Sequence, residues 1–399
     1  MRFTSLALVL LPCLGPVSAW PGYARSLHAS GLATAGPILR RAAAPYSPQF
    51  PYTGAILNGL PGNGTGGVQV PAPGDTAHQY EAPLPGAQRG PCPGMNTLAN
   101  HGFISRDGLT TWTELVAGMQ NVWNVQYELA VLLAVLGIAT DGDPVTEMLS
   151  IGGQVTQQIG TEGQYTGNYG GLSKHNSFEL DVSLTRDDFY LHGDAHTFNA
   201  SLFQMMAETA AELHNGTVLF DFDAVALHRA RRYNQSIADN PWIVFPSAEI
   251  HNYGAGVFVF EAFPSSARNM TPDLETISSF FGAVPLGNGS YGSQPERIPE
   301  GWHNRVSILN GTIIGDGGQA QYNAYPVPFV VGDGAGNLYN LSSTSLVGGC
   351  TTYNTAIDTA GSSPNPIATY EFVRRRLDPI YAAEGCPGNT SLAQFLGGI

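Results

Sequence analysis

The chain has 399 residues, including 49 glycines and 28 prolines, with a formal charge of −14 and a single lysine, Lys174. A surface this acidic does not neutralise phosphates, which argues against nucleic acid or an anionic membrane surface as partners. Single cores stop growing near about 250 to 300 residues, so this length fits one large domain or two modest ones.

Taken in chain order, residues 1–19 hold one arginine, an apolar run too short to span a bilayer, and a small-residue ending, Val17-Ser18-Ala19. This pattern predicts a cleaved signal peptide and a secreted or vesicle-lumen protein. Cys13 leaves with it, and the odd set Cys92, Cys350 and Cys386 remains. Nine Asn-X-Ser/Thr sequons, from Asn63 to Asn389, agree with a glycoprotein of the secretory route. Residues 20–88 are rich in Pro, Gly and Ala, carry the dibasic Arg40-Arg41, and show no sustained apolar period; they read as an extended or processed arm.

The core is expected from residue 89 to 399. Thr111 and Glu114 form a capping-box pattern, and the apolar spacing behind them predicts one helix running to Gly137. Further helices are expected over about 199–214, 223–238 and 366–383, and one opening at Thr271 with Pro272 in its first turn. Short β-like runs occur at 306–309 and 328–331, without the strand and helix alternation of a parallel sheet. The fold class is mainly α, with long loops and few short strands.

Cys350 and Cys386 lie in Gly-rich ends around the last helix and suit a loop staple; if they pair, Cys92 is left without a partner. Cys92 stands between Pro91 and Pro93 in RGPCPGMNTLANHG, residues 89–102, where loop turns to helix. A thiolate there is favoured by the helix dipole and by unpaired N–H groups. Haem iron, zinc and a nucleophilic role are all open on these residues alone, although zinc needs further ligands and no second cysteine lies close by. An intermolecular disulfide in a protein without haem is a further reading. His192 and His196 have metal-pair spacing but no evident third ligand, and read as loop histidines.

The run PCPGMNTLANHGFISRDG, residues 91–108, resembles the proximal motif of the fungal haem-thiolate peroxidases, the family of chloroperoxidase and the unspecific peroxygenases. The resemblance implies a single chloroperoxidase-like helical domain enclosing haem b, with Cys92 as the axial iron ligand. A thiolate in that position favours O–O cleavage. A second motif follows some 90 residues on: GGLSKH at 170–175, then FELDVSLTRDD at 178–188. Read alone, it suits a capped helix start. Read through the resemblance, the Glu179 carboxylate, the Leu180 carbonyl and the Ser183 hydroxyl hold Mg²⁺ or Mn²⁺ beside a haem propionate, with Phe178 against the cofactor.

A third element departs from the family. Where extracellular peroxygenases carry an acid-base glutamate, IHNYGA at 250–255 ends on Ala255. Glu249 and His251 are the nearby groups able to move a proton, and the apolar residues 257–260 suit a distal wall. FNASLF at 198–203 and NQSIADNP at 234–241 also fit the family layout, so the resemblance covers about 89–386. The implied function is oxidation of a small, aromatic substrate by hydrogen peroxide, with a role in polyketide-type secondary metabolism. The alternative is a haem-binding protein of the same fold with degenerate catalysis.

Overall fold

The structure, a computed structural model, describes residues 42–153, 171–175, 179–245, 250–341, 349–361, 363, 365–382 and 385–386. The signal peptide, the dibasic pair, Phe178, Glu249 and the Asn389 sequon lie outside the described residues, as does the side chain of His251. All the described residues belong to the unit from Leu39 onward.

Helix α1 (Pro93–Asn100) begins where the sequence places it, with Cys92 as its extended N-cap residue and proline in the first position. Strand β1 (Leu109–Thr111) pairs antiparallel with β2 (Met148–Ser150), setting Leu109 opposite Ser150. Between them run α2 (Trp112–Trp123) and α3 (Tyr127–Asp141). The capping box of Thr111 and Glu114 is formed in full.

The single helix expected up to Gly137 is two helices. Asn124 ends α2 in the left-handed conformation, φ 52°, and its Nδ2 donates to the carbonyls of Arg305 and Val306 at 3.3 Å. Asparagine tolerates this geometry better than most residues, and two distant carbonyls reward it. Helix α3 is then buried on nearly every side, from Leu129 to Ala139, and forms the centre of the core.

Helices α4 (Ala200–Leu213) and α5 (Phe222–Asp239) pack on each other, capped by Asn199 and Asp221. A π-helical turn, Ile250–Gly254, leads into α6 (Ala255–Glu261). Helix α7 (Leu274–Phe281) is capped by Asp273, which accepts from the Thr276 amide, so Pro272 precedes the cap instead of opening the helix. Helix α8 (Gly311–Ala324) has no counterpart among the elements expected from sequence, because its glycines hide the apolar period. Those glycines are packing devices: a Cβ on Gly317 would stand 2.9 Å from Val257 Cγ2, and one on Gly256 would stand 2.6 Å from Gln321 Oε1.

Residues 306–309 form no strand; Leu309 makes one parallel bridge to Val125, and Val306 is 68% exposed. The second β-like run is real but shifted. Strand β6 (Val330–Gly332) lies between β3 (Val244–Phe245) and β7 (Leu338–Asn340), while β4 (Ala283–Pro285) and β5 (Tyr291–Ser293) make a separate hairpin. Helices α9 (Gly349–Gly361) and α10 (Pro366–Tyr381) pack against α3 and are stapled by the Cys350–Cys386 disulfide. Cys92 is free.

The described part of the supposed arm, residues 42–88, differs from an extended tail. Tyr52 and Val70 join the main core, the Val70 amide donates to the Trp302 carbonyl at 2.9 Å, and Thr53 Oγ1 donates to Asn121 at 3.0 Å. His78 is buried, with Nδ1 2.7 Å from Asp75 Oδ2 and its ring stacked on Phe103. Turns and single anchors hold this segment, which is why it shows no period of its own. The mainly α reading of the fold holds.

Candidate active site

An apolar cavity of about 260 Å³ opens between α1, α2, α3, α6 and the loop 179–185. Cys92 lies at its proximal side. The loop before Cys92 is fixed by reciprocal bonds: the Gly90 amide donates to Asn96 Oδ1 at 3.0 Å, and Asn96 Nδ2 donates to the Gly90 carbonyl at 2.9 Å. Arg89 clasps Asn100 Oδ1 through Nε and Nη2 at 2.9 and 2.7 Å.

At the start of α1 the amides of Gly94 and Met95, two of the helix's orphan donors, point at the Cys92 sulfur. Burial pushes the thiol up from its usual range, while these amides and the nearby Arg186 charge pull it down. A Cβ on Gly94 would lie 3.1 Å from Trp123 Cη2 and 3.8 Å from the sulfur, so glycine keeps the approach to Cys92 open. Arg186 is buried with Nη2 3.6 Å from Glu296 Oε1, and that same oxygen accepts from Asn96 Nδ2 at 2.8 Å.

The second motif forms the polar rim: residues 179–187 are loop, and only its last residue, Asp188, stands at the N-cap of a short helix, Phe189–His192. Val182 takes φ 65°, costly for a β-branched residue, and three successive carbonyls around it are pinned by one face of α5. Arg229 donates to Val182 O, Arg232 Nε to Ser183 O at 2.8 Å, and His228 Nε2 to Leu184 O at 2.8 Å. Asp188 completes the clamp, accepting from the Val182 amide at 3.0 Å and from Arg232 Nη2 at 3.2 Å.

Glu179, Leu180 and Ser183 all line the cavity. Glu179 is 5% exposed; His175 Nδ1 donates to its Oε2 at 3.0 Å, and its Oε1 has no partner among the described residues. Burial, then the Asp188 charge, raises its carboxyl well above the usual range. Asp181 behind it is raised to about 7, chiefly by burial. A buried carboxylate oxygen without a described partner, on a cavity that Leu180 and Ser183 also line, fits a hard divalent cation. Among the described residues no three His, Cys, Asp or Glu side chains gather around a metal, so such a cation would rest on this mixed oxygen set.

The distal wall comes from α6 and the turn before it. Asn252, Ala255, Phe258, Val259, Ala262 and Phe263 face the cavity. Ala255 thus occupies the wall where the family resemblance puts a glutamate, and it presents a methyl group. Of the apolar run 257–260, Phe258 and Val259 line the cavity, while Val257 packs into the core and Phe260 onto Phe222. His192 and His196 do not converge: His196 Nδ1 is 3.0 Å from Asp194, and His192 Nε2 is 3.8 Å from Asp187.

Sequence reasoning missed the walls contributed from afar. Trp123, Met119 and Leu115 arrive on α2, Phe281 on α7 and Arg229 on α5.

The family described as "Peroxidase, family 2" matches residues 78–307. An aromatic peroxygenase of Coprinellus radians is 40% identical over 193 residues, 48% of this chain and 70% of that protein. An aromatic peroxygenase of Cyclocybe aegerita is 30% identical over 273 residues, 68% of each chain. A dothistromin biosynthesis peroxidase of Dothistroma septosporum is 34% identical over 234 residues, 57% of this chain, and the match spans only 55% of that protein's length.

Proposed function

The chain belongs to peroxidase family 2 and is a haem-thiolate peroxidase of that family, and on this premise we propose that it uses hydrogen peroxide to oxidise or oxygenate a small aromatic substrate in secondary metabolism. The observation that carries this reading is the free Cys92 sulfur facing an apolar cavity from the N-terminus of α1, with Gly94 leaving the approach clear. Cys92 would ligate the iron of haem b, and Glu179, the Leu180 carbonyl and Ser183 would hold Mg²⁺ or Mn²⁺ at the polar rim.

A thiolate-ligated haem supplies the peroxide activation, the thiolate donating electron density that favours O–O cleavage. The rest is done by the chain's own groups. The Gly94 and Met95 amides hold the charge on sulfur. The aromatic and aliphatic walls exclude water and keep the substrate ring in place. Ala255 moves no proton, so that task passes to Glu249 or His251. Ala255 is also the observation behind a second reading, a haem binder without turnover.

The protein is placed in a secretory compartment or outside the cell. The Cys350–Cys386 disulfide supports this, as does the exposure of the Asn63, Asn215, Asn234, Asn269, Asn288 and Asn340 sequons. Among the described residues no helix is long and apolar enough to cross a membrane.

The test is recombinant protein loaded with haem. The reduced CO complex is expected at the thiolate-type Soret position, with peroxide-dependent oxidation of a phenol, and Cys92→Ala is expected to abolish haem retention. A thiolate spectrum without turnover would favour the binder. Absence of any Soret band would overturn both readings.

A further inference from the structure

Arg229 is the one cationic side chain among the described residues lining the cavity, and it is 4% exposed. Its neighbours on α5 spend their charge on acids: Arg232 on Asp188 at 3.2 Å and Arg231 on Glu212 at 2.8 Å. Arg229 does not. Its Nη1 and Nη2 donate to the backbone carbonyls of Val182 and Asn252, both neutral, and its Nε has no partner among the described residues. The Tyr253 ring lies 5.9 Å from the guanidinium carbon. No described carboxylate comes within ion-pair distance of it.

Holding a buried charge without a counter-ion costs several kcal/mol, of which two carbonyls offset a part. Burial depresses its pKa to about 10, which still leaves the group charged near neutrality. Its two acceptors fix where the charge sits. Val182 belongs to the polar rim and Asn252 to the distal segment, one turn before Ala255. The guanidinium therefore bridges the rim and the distal wall, while Met119, Trp123, Phe258, Phe263 and Phe281 line the cavity. Glu179, the one acidic residue on the described lining, is committed at the rim to the proposed cation.

A chamber with aromatic walls and one cation that no described carboxylate neutralises selects an aromatic ligand that brings its own negative charge. We infer that Arg229 is a specificity-determining residue that anchors the ionised oxygen, carboxylate or phenolate, of an aromatic substrate. The inference rests on the peroxidase reading above and narrows its substrate class. A haem propionate offers the same carboxylate chemistry, and the experiment separates the two sources.

Haem-loaded full-length protein is titrated with benzoate and with benzamide, near-isosteres that differ in charge, and the Soret perturbation is followed at pH 7. Charge-assisted hydrogen bonds contribute enough that benzoate is expected to bind at least about tenfold tighter than benzamide. Arg229→Gln is expected to remove the preference while keeping the haem spectrum, and Arg229→Lys to restore part of it. Equal affinities in the unaltered protein would overturn the inference, as would a preference that survives Arg229→Gln. Loss of haem from Arg229→Gln would also overturn it, assigning the charge to a propionate. If Arg229→Gln does not fold, the unaltered protein and Arg229→Lys decide: no benzoate preference overturns the anchor. An unaltered chain that takes up no haem fails the peroxidase reading instead. The same two probes, titrated by calorimetry, then judge the anchor alone.

Discussion

Arg232 holds Ser183 by its backbone, donating Nε to the Ser183 carbonyl over 2.8 Å, and the same guanidinium is neutralised by Asp188 at 3.2 Å. The pair is buried, with side-chain exposures of 2% and 1%. Its function is positional: it keeps a loop with a left-handed valine in the one shape that puts Glu179, Leu180 and Ser183 on the cavity.

Asp188→Ala is therefore expected to cost roughly 3–5 kcal/mol, because it strands a buried guanidinium and frees the Val182 amide. Urea unfolding measures this. Adding Arg232→Met should recover part of the loss by removing the stranded charge. It should not recover affinity for the proposed Mg²⁺, because the Ser183 carbonyl then lacks its donor.

The staple between α9 and α10 makes a different prediction. Cys350 and Cys386 close a loop with a sequence separation of 36, for which chain entropy gives roughly 3–4 kcal/mol. Replacing both by alanine should lower the unfolding free energy by up to that amount and leave the Soret spectrum unchanged. A spectrum lost along with the staple would mean that α9 and α10 shape the haem site.

These sites differ in how far they could be read from sequence, and the reason is the distance over which each is determined. The capping box of α2 and the N-cap position of Cys92 depend on neighbours within four residues, so spacing reveals them. The break at Asn124 is rewarded by carbonyls 181 and 182 residues away, and nothing local announces it. Helix α8 is masked in the same way: its glycines lower local propensity and serve contacts with α6 that only the fold creates. In the cavity, Cys92 and the loop 179–183 stand out as contiguous motifs. Arg229, Trp123 and Phe281 enter on separate helices, where each looks like an ordinary core or surface residue.

Two buried histidines weaken the fold toward acid. Burial depresses His101 to about 4, and its Nε2 accepts from the Ile298 amide at 3.0 Å, which requires the neutral ring. His228 is depressed to about 3, again by burial. In the unfolded chain both titrate near about 6.5. Between that value and the folded one the unfolded state binds more protons, so stability rises with pH there and is lost as pH falls from about 6.5 toward 4. For His101 alone the difference is roughly 3 kcal/mol. Glu179 and Asp181, raised by burial, act in the opposite sense over the same range. The histidine part is therefore read as a difference in unfolding free energy: from pH 7 through 5.5 to 4.5, the gap between the unaltered chain and His101→Asn, which is less stable at pH 7, should narrow toward acid. An equal slope in the variant would exclude His101 as a cause.

The distal proton step can be tested by moving it. If Glu249 or His251 takes the proton from peroxide, replacing both, as Glu249→Gln with His251→Asn, removes a positioned acid-base group. The expected cost is about 10²- to 10⁴-fold in peroxide-dependent turnover of a phenol. The Soret spectrum should not change, since Cys92 and the Gly94 and Met95 amides at its sulfur are left intact. Ala255 already lies on the cavity wall at the first position of α6, so Ala255→Glu in that disabled background supplies a carboxylate where the family resemblance puts one. Turnover should then recover by at least about tenfold, a fraction of what one well-placed group contributes. The same carboxylate would stand one turn from Asn252, whose carbonyl holds Arg229, and should compete for that guanidinium, so benzoate binding should weaken as turnover returns. Recovery without weaker benzoate binding would separate the proton step from the Arg229 anchor. No recovery, with the haem spectrum intact, would show that position 255 does not reach the reacting oxygen.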